Sequence, residues 1–446
     1  MNTPICDFVK SYADSEPLRL HMPGHKGVNL TGNETYDITE IYGADSLYEA
    51  SGIIAQSEEN ASNLFGCETF YSTEGSSLAI RAMLFLTVLY AKEKHEKPLI
   101  LAGRNAHKTF LSACVLLDFD YRWLCPENQS SYLSCKINGE YLERFFSECE
   151  RKPTAVYITS PDYLGNITDI EEVAKVCHKH EVLLLVDNAH GAYLNFLSPS
   201  KHPIHLGADL CCDSAHKTLP ALTSAAYLHI SKTAPEVFSS QAKNALSLFG
   251  STSPSYLILE SLDAVNAYLF NGYSHKLSAF ISEVNETKSR LKNKGYILTG
   301  DEPLKITVSA KDYGYTGMEI GEILKNQNIF CEFADPDFIV FMVTPETETE
   351  GLKKLEEVLL SLPRKEKIRT SPPGFSLPEK VLSARESAFL KSETIPVSGS
   401  LNRVLARSTV GCPPAVPIVI GGERIDSNAI ECFKYYGINN VQVIIE

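Results

Sequence analysis

The chain has 446 residues, of which 44% are apolar and 22% are charged, as is ordinary for a globular protein. This length allows a large core and two or three domains. The formal net charge of −14 argues against a nucleic acid or an anionic membrane surface as a partner. We expect a cytoplasmic protein, because the sequence contains neither a membrane-length apolar stretch nor the pattern of a signal peptide.

The cysteines and histidines do not predict a metal site. Twelve cysteines occur without a C-x-x-C pair, so neither a zinc ribbon nor a thioredoxin-type motif is present. The histidines of His178-x-His180 and His202-x-x-His205 have no supporting cluster of cysteines or acids in the sequence. We therefore expect no bound metal.

Residues 1–50 are predicted to form an N-terminal arm. The stretch LRLHMPGHKG contains Pro23-Gly24, which favours a turn among His21, His25 and Lys26. After the arm, Thr69–Ser72 is predicted to be a strand, and Gly75 opens an apolar-faced helix. Backbone N–H groups and hydroxyls at Gly75, Ser76 and Ser77 suit a phosphate, although an ordinary helix cap explains them equally well.

Strands and helices then alternate along the chain. Pro98–Ala102 is predicted to be a strand, and His107 lies in the loop after it. Thr154–Thr159 is predicted to be the next strand, and a helix capped by Asp169 follows. This alternation predicts an α/β fold with a mostly parallel sheet covered by helices on both faces.

Two apolar runs deliver polar residues where parallel strands place ligands, at their carboxyl ends. Val182–Val186 ends on Asp187, and Ala208–Cys212 is followed by Asp213, Ser214, Ala215, His216 and Lys217. A lysine amine can bind the aldehyde of pyridoxal 5'-phosphate (PLP) covalently, and an acid can keep the pyridine nitrogen protonated. Either residue alone has ordinary explanations, but together they favour a PLP site.

The C-terminal part is predicted to contain a smaller domain. Gln241 to Lys294 is expected to be helical and to link two domains. Strands at Leu304–Ser309, Ile329–Glu332 and Phe338–Val343, with helices near Met318–Asn326 and Glu350–Leu362, predict an α+β domain. A basic, proline-rich linker follows at 362–380. The predicted parts are therefore an arm (1–50), a PLP-binding large domain (51–290), a small α+β domain (291–365), and a linker and tail (366–446).

Several motifs resemble the Orn/Lys/Arg decarboxylases, a family of bacterial-type, fold type I PLP-dependent enzymes. DSAHKTLPALT is similar to their lysine loop, VDNAHGAY to VDEAHGAH, GRNAHKTF to DRNCHKS, and HMPGHKG to an N-terminal signature of the family. The chain resembles a short form without the N-terminal regulatory-type domain. The resemblance implies an aspartate-aminotransferase-like large domain, a small α+β domain and decarboxylation of arginine, lysine or ornithine.

The same resemblance implies the roles of individual residues. Lys217, His107 and Asp187 would be catalytic. The cofactor would be held by Gly75, Ser76, Ser77, His107, Asp187, Ala189, His190, Ser214, His216 and Lys217. The subunits would form at least a homodimer with shared active sites. Another PLP reaction, by an aminotransferase or an eliminase, or a non-catalytic PLP-binding protein remain the alternatives.

The chain also departs from the family pattern. Asn188 stands where an acid is usual, and Glu74 replaces an asparagine, so we expect its side chain to point away from a phosphate. In the tail, Cys412 and Ala415 replace a tyrosine and a glycine. Arg407 stands where arginine-specific relatives tend to have a glutamate, unless it simply faces solvent. The acid that binds the distal cation of a substrate could then be Asp45, Glu49 or Glu423, or could come from a partner subunit.

Overall fold

The computed structural model describes residues 1–126, 131–408 and 414–445. They form two compact units, each built from several stretches of chain. The first unit comprises Met1–Pro98, Thr154–Val156 and Cys177–Leu277, and the second comprises Leu99–Pro153, Tyr157–Val176 and Ser278–Glu446. The four-part domain division expected from the sequence stays a prediction.

The helices and strands follow the order of the chain. The helices are α1 (Pro4–Asp14), α2 (Ile53–Phe65), α3 (Gly75–Glu93), α4 (Lys108–Leu117), α5 (Gly139–Glu148), α6 (Ile170–Lys179), α7 (Ala215–Thr218), α8 (Glu236–Ser247), α9 (Tyr256–Phe270), α10 (Tyr273–Lys294), α11 (Gly317–Lys325), α12 (Glu348–Ser361), α13 (Ala384–Phe389) and α14 (Ser427–Tyr435). The strands are β1 (Glu68–Ser72), β2 (Leu99–Gly103), β3 (Asp120–Leu124), β4 (Ala155–Thr159), β5 (Leu183–Asp187), β6 (Leu210–Asp213), β7 (Ala226–Ile230), β8 (Ile297–Thr299), β9 (Lys305–Ser309), β10 (Phe333–Ala334), β11 (Phe338–Met342), β12 (Ser392–Pro396), β13 (Leu405–Arg407) and β14 (Asn440–Ile444).

In the first unit, four strands lie side by side in the order β1, β7, β6, β5. β5 and β6 are parallel, whereas β7 is antiparallel to both β6 and β1. β1, β5 and β6 therefore point the same way and end at one edge, which we call the carboxyl edge. Its strand ends are Ser72, Asp187 and Asp213. Every residue of β5, β6 and β7 is buried, which explains their uninterrupted apolar runs.

Helix α3 covers this sheet and begins at the carboxyl edge. It packs against β6, β7 and α8. Among the described residues it alone is long and apolar enough to cross a membrane by length and composition, but half of it is buried in the protein. We therefore interpret α3 as a core helix, with its apolar faces turned to the sheet and to α8.

The second unit contains a pair of parallel strands and two smaller sheets. β2 and β3 form a parallel pair. β10, β11, β9 and β8 form an antiparallel sheet in that order, as expected for the small α+β domain. The tail adds a three-stranded sheet in the order β12, β14, β13. This sheet packs with α14 around a core of ten buried residues. The sequence predicts a linker and a tail domain at 366–446, without the positions of these strands.

Two sequence predictions are wrong. The long helix from Gln241 to Lys294 is in fact three helices, α8, α9 and α10. The last break lies at Gly272, whose φ of +88° is incompatible with a continuous helix. The strand expected at Ile329–Glu332 is an irregular segment, and the strand begins only at Phe333. Both errors arose because apolar periodicity continued across residues that end the element.

Candidate active site

Asp187 ends β5 in a buried position at the carboxyl edge. It is 2% exposed and lies beside Cys212 of β6 in the parallel register. Its Oδ1 accepts the backbone N–H of Ala189 at 3.2 Å and faces the Cys212 thiol at 3.7 Å. A carboxylate in this place can orient and charge-stabilise a cationic ring nitrogen.

Lys217 and His190 come together at the same edge. Lys217 lies in α7, directly after β6, and its Nζ lies 3.0 Å from Nε2 of His190. An ammonium group can only donate, so with Lys217 charged the Nε2 of His190 accepts. The segment from Asp187 to His190 and the loop from Ser214 to Lys217 are thus joined by side-chain contact, as the sequence motifs implied.

Unpaired hydroxyl groups surround the start of α3. Ser214 Oγ and Thr73 Oγ1 are buried, and neither has a hydrogen-bond partner among the described residues. The register brings them close, because Ser72 lies opposite Ala226 and Asp213 opposite Tyr227 on the shared neighbour β7. Buried hydroxyls normally find a partner, so these two indicate that a ligand with acceptor atoms belongs here.

The first residue of α3 leaves room for that ligand. Gly75 has a φ of +72°, and no atom lies within 4 Å of the position where a Cβ would stand. Ser76 and Ser77 follow it at half-buried positions in the first turn of a 19-residue helix. The helix start therefore offers N–H groups and a positive dipole end to an anion. Glu74 does not face this space with its Oε1, which accepts the backbone N–H of Ser251 at 2.5 Å.

His216 is held by the neighbouring strand. Its Nδ1 lies 3.0 Å from the carbonyl oxygen of Ala225, so this nitrogen carries a proton and donates. Burial lowers the pKa of His216, and the charge of Lys217 lowers it further. With Nδ1 occupied, His216 can donate to a phosphate from Nε2 only when the ring is protonated.

His107 belongs to the second unit. It is the N-cap of α4, where its Nδ1 accepts the backbone N–H of Thr109 at 3.2 Å and lies 2.8 Å from the Thr109 hydroxyl. This arrangement leaves Nε2 as the nitrogen that can contact a ligand. Its expected place beside the cofactor ring stays a prediction.

The tail residues named above are placed as follows. Arg407 is exposed at the end of β13, opposite Gln442. Ala415 has a φ of +54°, a backbone conformation that favours the glycine it replaces, and its carbonyl accepts the N–H of Lys108 at 2.9 Å. Cys412 lies outside the described residues.

The candidate substrate acids differ in how their side chains are used. Asp45 accepts five backbone N–H groups at the start of α2, within 3.3 Å. Glu423 is buried and forms an ion pair of 3.3 Å with Arg104. Glu49 is exposed. Asp45 and Glu423 thus already serve as a cap and as a buried ion-pair partner.

One buried group of residues at the carboxyl edge was assigned no role from the sequence. Asp213, His202 and His229 are fully buried, and each histidine is hydrogen-bonded to the Asp213 carboxylate. An acid in the last position of an apolar strand was visible in the sequence. His202 and His229, however, lie 11 and 16 residues from Asp213 along the chain, and only the fold brings them to it.

Comparison with known proteins decides the family. The model of the Orn/Lys/Arg decarboxylase major domain matches residues 3–309. The chain belongs to the Orn/Lys/Arg decarboxylase family. It is therefore a PLP-dependent amino-acid decarboxylase, and the predicted family, cofactor and reaction class are confirmed.

Relatives match the Orn/Lys/Arg decarboxylase chain over nearly its whole length. It is 28% identical to arginine decarboxylase of Bacillus subtilis (strain 168) and, again at 28%, to the uncharacterized protein YaaO of the same organism. Each alignment covers 97% of this chain and 93% of the relative. Its fold is similar to lysine decarboxylase LdcF of Francisella novicida, with a TM-score of 0.79 and 17% identity over 99% of this chain and 81% of the other. The fold type I α/β architecture is thus confirmed.

The residues at the carboxyl edge fit PLP. The unpaired hydroxyls of Ser214 and Thr73 and the open space above Gly75 suit its phosphate. The buried Asp187 suits the pyridine nitrogen, and the Lys217 amine suits the aldehyde. Both ends of the cofactor therefore find matching groups in the first unit.

Proposed function

We propose that this decarboxylase acts on a basic amino acid, namely arginine, lysine or ornithine, and releases the corresponding amine and CO₂. The observation that carries the site assignment is the contact between Lys217 and His190 beside the buried Asp187. The substrate class is supported by the arginine decarboxylase that aligns along nearly the whole chain.

The proposed roles follow from what each side chain can reach. Lys217 binds the cofactor through its amine, and Asp187 pairs with the pyridine nitrogen. The hydroxyl of Ser214, the start of α3 and His216 hold the phosphate. PLP, when bound, supplies an electron sink for the carbon that loses CO₂.

His190 serves as a proton acceptor for Lys217. Its Nε2 lies 3.0 Å from the amine, so a proton can move from Nζ to Nε2 without a water between them. A neutral amine is the nucleophilic form, and His190 would therefore keep Lys217 ready to hold the cofactor aldehyde. Lys217 or His107 then returns a proton to the substrate carbon.

The choice among PLP reactions depends on the orientation of the substrate's bonds, which side chains at the distal end control. A buried cation requires an acidic partner. Because Asp45 and Glu423 are occupied by other contacts, we infer that the distal acid is Glu49 or an acid from a partner subunit.

A homo-oligomer with shared sites is supported by the arm. Leu18 and Leu20 are each 83% exposed, and Met22 is 68% exposed, all beside the HMPGHKG motif. Apolar side chains this exposed in one short stretch are typical of a surface that a protein partner covers. We propose that a second copy of this chain covers it, in a cytoplasmic enzyme.

The experiment that tests the function measures CO₂ release from arginine, lysine, ornithine, glutamate and leucine by the purified enzyme. We expect one of the three basic substrates to exceed both glutamate and leucine in kcat/KM by at least about a hundredfold, since a matched buried acid discriminates strongly. A preference for a neutral or acidic amino acid would contradict the proposal. Formation of a keto acid in place of CO₂ would indicate transamination.

A further inference from the structure

Asp213 lies at the centre of a buried polar network at the carboxyl edge. Its Oδ1 accepts the side-chain amide of Asn188 at 2.6 Å. Its Oδ2 accepts Nε2–H from His202 at 3.0 Å and from His229 at 3.1 Å. All four residues are fully buried, so water does not screen these contacts.

The network is centred on the carboxylate of Asp213. The second nitrogen of His229 lies 3.0 Å from the Thr69 hydroxyl, which can donate to it. Burial lowers the pKa of His229, which keeps its ring neutral. Burial alone would raise the pKa of Asp213, but its contacts with His202 and His229 outweigh it, and the pKa lies well below its usual value. Asp213 is therefore a carboxylate with three donors.

Asn188 has one possible orientation in this network. Its backbone N–H donates to the Cys212 carbonyl, and its own carbonyl accepts the N–H of Gly191. A carboxylate accepts only, so the NH₂ group must face Asp213. The amide oxygen then lies against Gly191, where even a Cβ would approach it to 1.9 Å. The contact of the Asn188 side chain with Asp213 thus ties the turn that carries Asp187, Ala189 and His190 to the end of β6.

This contact explains why the chain departs from its family at position 188. The family motif VDEAHG has an acid there. An acid in the position of Asn188 would bring a second carboxylate against Asp213 with no cation between them, which is costly in a buried site. An amide at 188 and a carboxylate at 213 are therefore complementary.

A metal site is the competing interpretation of the same group. Ligand atoms of His202, Cys211 and Asp213 lie within 4.8 Å of one another. The Nε2 atoms of His202 and His229, however, lie at ordinary hydrogen-bond distances from Asp213, and donated protons account for both contacts. The distances thus match a hydrogen-bond network.

We propose that Asp213 is a positioning residue that holds Asn188, and through it the Asp187–His190 segment, while supplying from β6 the buried negative charge that the family motif carries at position 188. This inference rests on the PLP site proposed above. It assigns residues 188 and 213 one shared role, so that each requires the other.

A charge-swap experiment tests the pairing with Asn188→Asp, Asp213→Asn and the double variant. Asn188→Asp places two acids in contact, and Asp213→Asn leaves two amides competing for the same position. We expect each single change to weaken PLP binding at least about tenfold, and the double variant to recover to within about threefold of the wild type. Thermal unfolding of the PLP-free proteins should show the same recovery, which tests the pair even if the assigned cofactor roles fail.

A spectroscopic measurement distinguishes an electrostatic role of Asp213 from a purely structural one. The absorption band of bound PLP, which borohydride removes, changes as the bound cofactor loses a proton. The pH at which half of this change has occurred is the midpoint. Loss of a nearby negative charge disfavours the protonated form, so Asp213→Asn should lower this midpoint by on the order of one pH unit. The double variant, which restores one carboxylate, should reverse the shift.

Asp209→Asn is the matched control. Asp209 immediately precedes β6 at the end opposite Asp213, and it also accepts from a histidine, His178, at 3.1 Å. Its loss should leave the midpoint in place. If the double variant binds PLP no more tightly than the single variant with the lower affinity, the proposed pairing is wrong. An unmoved midpoint in a folded Asp213→Asn protein would refute the electrostatic role, and one tightly bound zinc ion per chain would favour the metal site instead.

Discussion

The carboxyl edge and the N-terminal arm are opposite cases of how one subunit uses its polar and apolar residues. At the edge, Asp187, His190, Asp213 and Lys217 contact other groups of the same unit, and most of these side chains are buried. In the arm, Leu18 and Leu20 project into solvent. The residues at the carboxyl edge thus find partners within one subunit, whereas we propose that a second copy of the chain covers the arm.

This difference suggests which parts of the enzyme bind the cofactor and which parts recognise the substrate. The fold of the first unit positions the proposed cofactor-binding residues, because strand register sets the places of Ser214 and Asp187. Substrate recognition is not complete there, since Asp45 and Glu423 are used elsewhere in the chain. We infer that one subunit binds the cofactor, whereas substrate choice depends on Glu49 or on an acid from a partner subunit.

Replacing Lys217 gives the largest expected effect. Lys217→Ala removes the only group that can bind the aldehyde covalently in the proposed site, so decarboxylation should fall by more than about a thousandfold. PLP should still bind weakly through its phosphate, without the absorption band that borohydride removes. Lys201→Ala, at an exposed lysine of the same unit, is the control. Retention of a tenth of the wild-type rate would rule out the assigned role.

Asp187→Asn should have the next largest effect. A neutral amide no longer favours the protonated pyridine nitrogen, and kcat should drop about a hundredfold while the covalent link to Lys217 persists. Steady-state kinetics and the absorption band measure the two quantities separately. Asp209→Asn again serves as the control. A kcat near that of the wild type would show that Asp187 does not act on the ring.

How much of the site was predictable differs between these regions. The motifs around Asp187 and Lys217 were enough to predict the fold class and cofactor, because strand ends and short loops keep sequence neighbours together. Asp213 appeared in the sequence only as a residue of the lysine loop. Its three partners are separated along the chain, and pairing of β6 with β7 was needed to find His229.

The tail and the helical region were less predictable. The breaks between α8, α9 and α10 depend on residues such as Gly272 that permit an unusual backbone angle. The tail sheet depends on β12 and β13 pairing with β14, which follows at the end of the chain. Local patterns do not encode such distant pairing, and the sequence therefore predicts a tail domain without its individual strands.

The arm supplies a test of the assembly. Leu20→Glu places a charge on the surface that we expect a second copy to cover, so the dimer dissociation constant should rise at least about tenfold. Sedimentation across a range of concentrations measures this. Ile297→Glu, at an exposed apolar residue of β8, is the control. A wild-type protein that sediments as a monomer with full activity would remove the arm from the active site.

His216 should make cofactor binding depend on pH. Burial lowers its pKa, so the ring is neutral in the PLP-free protein above that lowered value. Donation to the phosphate requires the protonated ring, and affinity for PLP should therefore fall as pH rises, until the ring is neutral in the complex as well. In His216→Gln a neutral donor is present at every pH.

The ratio of the PLP dissociation constants of the His216→Gln variant and the wild type cancels the ionisation of the phosphate itself. We expect this ratio to change about fivefold between acidic and alkaline pH, the difference between a charged and a neutral hydrogen bond. A ratio that stays constant would mean that His216 does not contact the phosphate.

Replacing Arg407 gives the smallest expected effect. The result connects substrate choice with the assembly of subunits. At 4 Å a guanidinium would be repelled by roughly 4 kcal/mol at an effective dielectric of 20, but by only about 1 kcal/mol in water. Arg407 is exposed in the subunit, so Arg407→Glu should raise kcat/KM for arginine by about fivefold or less, and Lys391→Glu, at another exposed cation of the tail, should leave it unchanged. A larger gain would require Arg407 to be desolvated near the substrate. Since one subunit leaves it in solvent, that result would identify a partner subunit as the surface that buries it.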